Sequence, residues 1–174
     1  MKIDGYIACI CEGNAETAIM DLLLENNKLC FRRQQLIDEK FLRCRNAKDF
    51  EKAYLRKEYG EPITVLRILD SRRERFKLSK PYEGKVSVIN VITAPEIEIL
   101  VILSESKYDD FKRKRIKPSE YCKTYLEYPD VKTYKFVNTY FNDVDKLIAA
   151  IEEYKRVTQM HSGESMLFDL LETK

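Results

Sequence analysis

Three short apolar runs punctuate an otherwise charged chain: Tyr6 to Cys11 (YIACIC), Pro62 to Leu69 (PITVLRIL) and Val86 to Ile92 (VSVINVI). Each is rich in β-branched residues and ends at a turn or a charge, which is the pattern of strands. The first is apolar on both faces and reads as a buried strand. Elsewhere the apolar period becomes helical. After Glu12-Gly13, Asn14 is placed to cap a helix through Glu25, with Ala15, Ala18, Ile19, Leu22 and Leu23 on one face. Phe41 to Cys44 reads as a short strand, and Ala47 to Tyr59 as a helix closed by Gly60. Arg72 to Lys80 reads as a loop or short helix. Thr93 or Ala94 is placed to cap a helix with Pro95 at its first position. Glu96 to Leu103 is apolar enough to be buried. Helices are expected over Lys107–Arg115, Pro118–Tyr125, Val131–Phe141 and Asp143–Arg156, with a final short one over Glu164–Leu171.

Strands alternating with helices predict an α/β fold, a mainly parallel sheet flanked by helices with a helical C-terminal tail. The expected division is an α/β core over residues 1–105 and a helical extension over 106–174 packed on it. No internal repeat or low-complexity linker interrupts either part. In parallel sheets, functional groups collect at the carboxyl ends of the strands.

Composition narrows the function. A chain of 174 residues with 44% hydrophobic content can build a core, and a net charge of +2 excludes a uniformly basic protein. Basic residues are nonetheless clustered. Phe111 to Lys117 reads FKRKRIK between Tyr108 and Tyr121, and Arg72, Arg73 and Arg75 follow the second strand. Such clusters hold phosphates, with tyrosines stacking on bases, or are simply solvated surface charge. The five cysteines show no CxxC spacing and His161 is the lone histidine, so a His-based zinc site and a Ser-His-Asp triad are not expected. Without an apolar run of about 20 residues or a signal peptide, the expectation is a reduced, cytoplasmic chain with no membrane partner. No GxGxxG or GxxxxGK[ST] occurs, which argues against dinucleotide or P-loop binding.

Acidic residues fall where a parallel sheet would bring them together. Glu12 ends the first strand, Asp70 the second, and Glu96 and Glu98 follow the third. Convergent carboxylates are the ligand set of Mg²⁺ or Mn²⁺, which can activate water for phosphodiester cleavage. Each acid also has a plainer reading. Glu16 and Glu96 suit the first turn of a helix, and Asp70 can cap the next segment. Glu98, beside Ile99-Leu100-Val101-Ile102, is hardest to dismiss, because a carboxylate in so apolar a stretch needs a partner or an ion.

In this order the elements resemble the Toprim superfamily, closest to its RloB-like and OLD-type members. Ile7 to Glu16 is similar to the family's apolar strand followed by Glu-Gly and a helix. Val65 to Arg72 is similar to its strand ending in Asp-x-Asp. Ala94 to Leu103 is similar to the Pro, apolar-Glu and apolar-helix element of the RloB-like branch. The resemblance spans about residues 3–105 and departs at one place, where Arg72 stands for the second Asp. It implies a Toprim-like, Rossmann-like fold and a Mg²⁺- or Mn²⁺-dependent nuclease linked to phage defence. Glu12, Asp70 and Glu98 are then catalytic, and the same three with Glu16 are the metal ligands. Arg72, Arg73, Lys77, Lys112, Arg113 and Arg115 are the expected phosphate contacts. The implied partners are DNA or RNA, and a partner ATPase or another defence protein. The departure leaves open a catalytically degenerate module that binds nucleic acid or a protein.

Overall fold

The computed structural model describes Met1 and residues 3–172. Three parallel strands, β1 (Tyr6–Cys11), β2 (Ile63–Leu69) and β3 (Val86–Ile92), form a sheet in the order β1-β2-β3. Helix α1 (Asn14–Glu25) follows β1. Two 3₁₀ turns (Arg33–Gln35 and Ile37–Glu39) and α2 (Ala47–Ala53) lead to β2. After β3 the chain is helical: α3 (Ile99–Ser104), α4 (Tyr108–Lys114), α5 (Pro118–Tyr125), α6 (Tyr134–Tyr140) and α7 (Val144–Val157), then a 3₁₀ turn at Leu167–Leu170. The molecule is an α/β protein whose parallel sheet is flanked by helices.

Alternation along the strands divides the core. Ile7, Cys9, Cys11, Leu66, Ile68 and Val91 face one side, where α1, α3 and the tail helices cover them. Ala8, Ile10, Ile63 and Val65 face the other, against Phe50, Leu42, Leu55 and Leu78. β2 is buried along its whole length, which explains its continuous apolar run. β3 is the outer strand. Ser87, Val88 and Asn90 are exposed, and Ser165 pairs with the strand only near its end, donating to Asn90 O and accepting from Ile92 N.

Several expected elements differ. Gly13, not Asn14, is the N-cap of α1; Asn14 begins the helix, while the Thr17 hydroxyl donates to Gly13 O at 2.8 Å. Phe41–Cys44 is not a strand but a single bridge, in which Leu42 exchanges hydrogen bonds with Cys9 and Cys11 and closes the outer edge of β1. α2 stops at Ala53, six residues short of Tyr59. Residues 71–78 contain no helix. The segment after β3 also changes. The Ala94–Pro95 peptide is cis, Glu96 to Glu98 form a turn, and α3 begins only at Ile99. Pro95 is therefore not a first-turn proline, and Thr93 instead continues the sheet by donating to Leu69 O through its backbone and its hydroxyl.

Tail and sheet share one core. Leu23, Leu100 and Ile102 belong to the same cluster as Phe141, Leu147, Ile151 and Leu167. α7 lies on α3, and α6 on α1. No helix among the described residues is long and apolar enough to cross a membrane.

Candidate functional site

Because all three strands run the same way, their carboxyl ends share an edge. There Glu12, Glu16, Asp70 and Glu98 line one cavity of about 270 Å³, together with Gly13, Asn14, Ala15 and Lys132. All four acids expected as ligands thus meet in one place. Glu12 and Asp70 directly follow their strands, Glu98 closes the turn between β3 and α3, and Glu16 is set by the first turn of α1, which brings it close over Gly13: a Cβ there would stand 2.5 Å from Glu16 Oε2.

The electrostatics of the cavity are those of crowded carboxylates. Glu98 is 5% exposed, and burial pushes its pKa up to about 7 against the opposing pull of its own backbone N–H and Lys132. Burial also raises Glu12 to about 7, helped by Glu74 and Asp70 and opposed by Arg67. Glu16 is raised by burial as well, against its backbone hydrogen bonds. Among the described residues, neither Glu16 nor Glu98 has a cationic group within ion-pair distance.

Lys132, from the segment between α5 and α6, is the cation that lines the cavity. Its Nζ donates to Glu96 Oε1 at 3.2 Å, while Ser119 N donates to Glu96 Oε2 at 2.9 Å. Burial pushes Glu96 up, but these two donors outweigh it and hold the carboxyl below its ordinary value. Burial likewise works against the Lys132 charge, and Glu98, Glu96 and Asp70 outweigh it, so its pKa is raised. Glu96 is thus an anchor for Lys132, not a wall of the cavity.

Behind Glu12 lies a second arrangement. Arg67, in the middle of β2, is 1% exposed. Its Nη2 lies 3.3 Å from Glu74 Oε2 and 4.0 Å from Glu12 Oε1, and Nη1 is 3.5 Å from Asn90 Oδ1. The guanidinium sits 4.9 Å from the Phe76 ring centre, and its Nε has no hydrogen-bond partner among the described residues. Register explains the set, since Ile10, Arg67 and Asn90 are lateral neighbours and Glu12 follows Ile10 on the same face. Arg67 had one signal in the sequence: a charge inside PITVLRIL must find a partner if the strand is buried. Lys132 had none, because it lies in a loop far from the motifs.

The expected phosphate contacts are dispersed. Arg72 turns away from the acids, and its Nε donates to Glu164 Oε1 at 2.8 Å. The side chain at the place of the second Asp of Asp-x-Asp therefore puts no charge into the cavity. Arg73 is exposed after β2, and Lys77 lines a different hollow with Lys48, Glu51 and Lys80. Lys112, Arg113 and Arg115 lie on and just after α4. Tyr121, expected to stack on bases, is 1% exposed and donates its hydroxyl to Asp110, so it belongs to the core.

The donor set is oxygen only, the kind a hard dication prefers, and two of its members, Glu16 and Glu98, are buried. The arrangement is not closed around one, because no three Asp, Glu, Cys or His side chains among the described residues are grouped to hold a metal ion. Fold and site together define an α/β protein with an acidic cavity at the carboxyl edge of a parallel sheet. No family model matches the chain, and no curated protein or solved structure matches it.

Proposed function

We propose that the cavity is the site of a metal-dependent phosphodiester-cleaving enzyme, a Toprim-like nuclease. One observation carries this reading: four carboxylates from separate elements line a single cavity, and two of them, Glu16 and Glu98, are buried. Glu12, Asp70 and Glu98 would hold Mg²⁺ or Mn²⁺, with Glu16 beside them. A metal there supplies activation of water and charge stabilisation at a leaving oxygen. Glu12 would serve either as one of these ligands or, left off the metal, as the general base, since burial among other carboxylates raises its pKa to about 7. Lys132, fixed by Glu96, presents an ammonium to a phosphate oxygen in the cavity. A nuclease of this kind fits a role in defence against phage, alone or beside an ATPase.

A second reading, a degenerate Toprim-like module that binds nucleic acid or a protein, is favoured by the open carboxylate arrangement and by Arg72 standing at the second acid position. Thermal unfolding with Mg²⁺ and Mn²⁺ separates the two. A metal at 100 times its Kd stabilises by about 2.7 kcal/mol, a rise of about 5–10 °C for a chain this size. The rise is expected in the wild type and lost in Glu12→Gln and Asp70→Asn. No rise at millimolar metal would overturn the enzyme reading.

A further inference from the structure

We propose that the basic segment joining α4 to α5, with the helix ends beside it, is the docking surface for a single-stranded nucleic acid, which it leads toward the carboxylate cavity. What happens at the cavity rests on the phosphodiester reading above; the docking rests on other residues.

Lys112, Arg113 and Lys114 form the last turn of α4. Arg115 follows in the left-handed conformation, then Lys117 before α5 and Lys123 on it. All six are exposed. Among the described residues none has a carboxylate within 4.0 Å, whereas Lys28, Arg32, Arg72, Lys132 and Arg156 are each paired. Among the described residues this ridge therefore gathers six cations that form no ion pair, with Asp109, Asp110 and Glu120 at the first turns of the two helices.

The ridge also holds an aromatic ring. Tyr125, at the end of α5, is 48% exposed. It stacks on buried Tyr121 with centroids 5.0 Å apart, and Lys114 Nζ lies 4.6 Å from its ring centre. Tyr121 is itself fixed by Asp110, so the exposed ring rests on a rigid support. Unpaired cations around a supported aromatic match a single strand, whose phosphates meet the cations and whose unstacked bases meet the ring. A duplex hides the faces of its bases and would leave the ring idle.

The ridge is joined to the cavity. Ser119, in the first turn of α5, and Lys132, on the cavity wall, hold the two oxygens of the same Glu96 carboxylate. On the proposed path, a strand that runs from Lys112 to Lys117 and on past Ser119 would meet Lys132 next.

The test is fluorescence anisotropy of a labelled oligothymidylate in EDTA, which blocks cleavage. Reversing Lys112, Arg113 and Arg115 to Glu should weaken binding at least about tenfold and lower the log-log salt slope by about 2, at roughly 0.7 per lost phosphate contact. Tyr125→Ala should weaken it by about tenfold with the slope kept, and Tyr125→Phe should restore it. All of these positions are exposed, so thermal unfolding should show each variant folded. Wild-type binding by the triple variant, or equal affinity for the matching duplex or for inorganic polyphosphate, would overturn the proposal. Loss of binding in the ridge variants, with no metal-dependent cleavage by the wild type, would leave the docking surface standing and remove the nuclease. Cleavage lost in Glu12→Gln, with binding intact in the ridge variants, would do the reverse.

Discussion

Glu98 is a carboxyl group in an apolar wall, and Glu12 is one pressed against two others. Both hold a proton more tightly in the folded chain than in the unfolded one, because native values near 7 lie above the ordinary 4.5. Their contribution to stability is therefore fully present below about pH 4.5 and is lost as pH rises through about 7. Between pH 5 and 7.5 the melting temperature should fall, on the order of 5 °C. Glu98→Gln should flatten that fall, because the amide has no charge to desolvate. A melting temperature that climbs over this range would show that the carboxylates are compensated. The same residues explain why a dication is expected to stabilise the chain, since it supplies the compensation. Arg67 supplies it only for Glu12 and Glu74, on the other side of β2's end.

At the scale of elements, two glycines beside β1 differ in what they permit. Gly5 has φ of +76°, and a Cβ would stand 2.2 Å from the Pro62 oxygen, the same oxygen that accepts from Tyr6 N. Gly5→Ala must strain the backbone or break the first pairing of β1 with the chain entering β2. A loss of about 2–3 kcal/mol in urea unfolding is expected. Gly13 has φ of −123°, and the atoms nearest its new Cβ all belong to the carboxyl end of the Glu16 side chain. Gly13→Ala should therefore keep its stability within about 1 kcal/mol and alter the response to metal, because it turns Glu16. An equal cost at both positions would show that Gly13 is constrained by more than Glu16. Helix α3 makes a related point. Five of its six residues, Ile99 to Leu103, are buried, so it packs as a core element.

At the scale of the molecule, the helical tail is a structural part of the site. Lys132 lines the cavity from it, and Glu164 holds Arg72 away from the acids. Ser165 extends the sheet, and the Tyr154 hydroxyl donates to Ala94 O beside the turn that carries Glu96 and Glu98. A chain ended at residue 105 would expose the faces of α1 and α3 that Phe141, Leu147 and Ile151 cover. It should show no cooperative unfolding transition by circular dichroism and keep only part of its helical signal, through α1. A sharp transition in that fragment would show that residues 1–105 form an independent unit.

The sequence by itself determined the strands, most of the helices and the four acids. Apolar period and turn residues act within a few positions, and a parallel sheet puts every strand's carboxyl end on one edge, so Glu12, Asp70 and Glu98 were legible together. It could not show that α3 starts at Ile99 or that the Phe41–Cys44 run is one bridge, since both are settled by what packs beside them. Only the tertiary structure decided the cations. Arg72 was two positions from Asp70 in sequence, yet Glu164, 92 positions away, takes it. Lys132, with no motif around it, stands at the acids because Glu96 holds it there. A carboxylate at a strand end is placed by its own backbone, whereas a long basic side chain goes to whichever carboxylate the fold brings within reach.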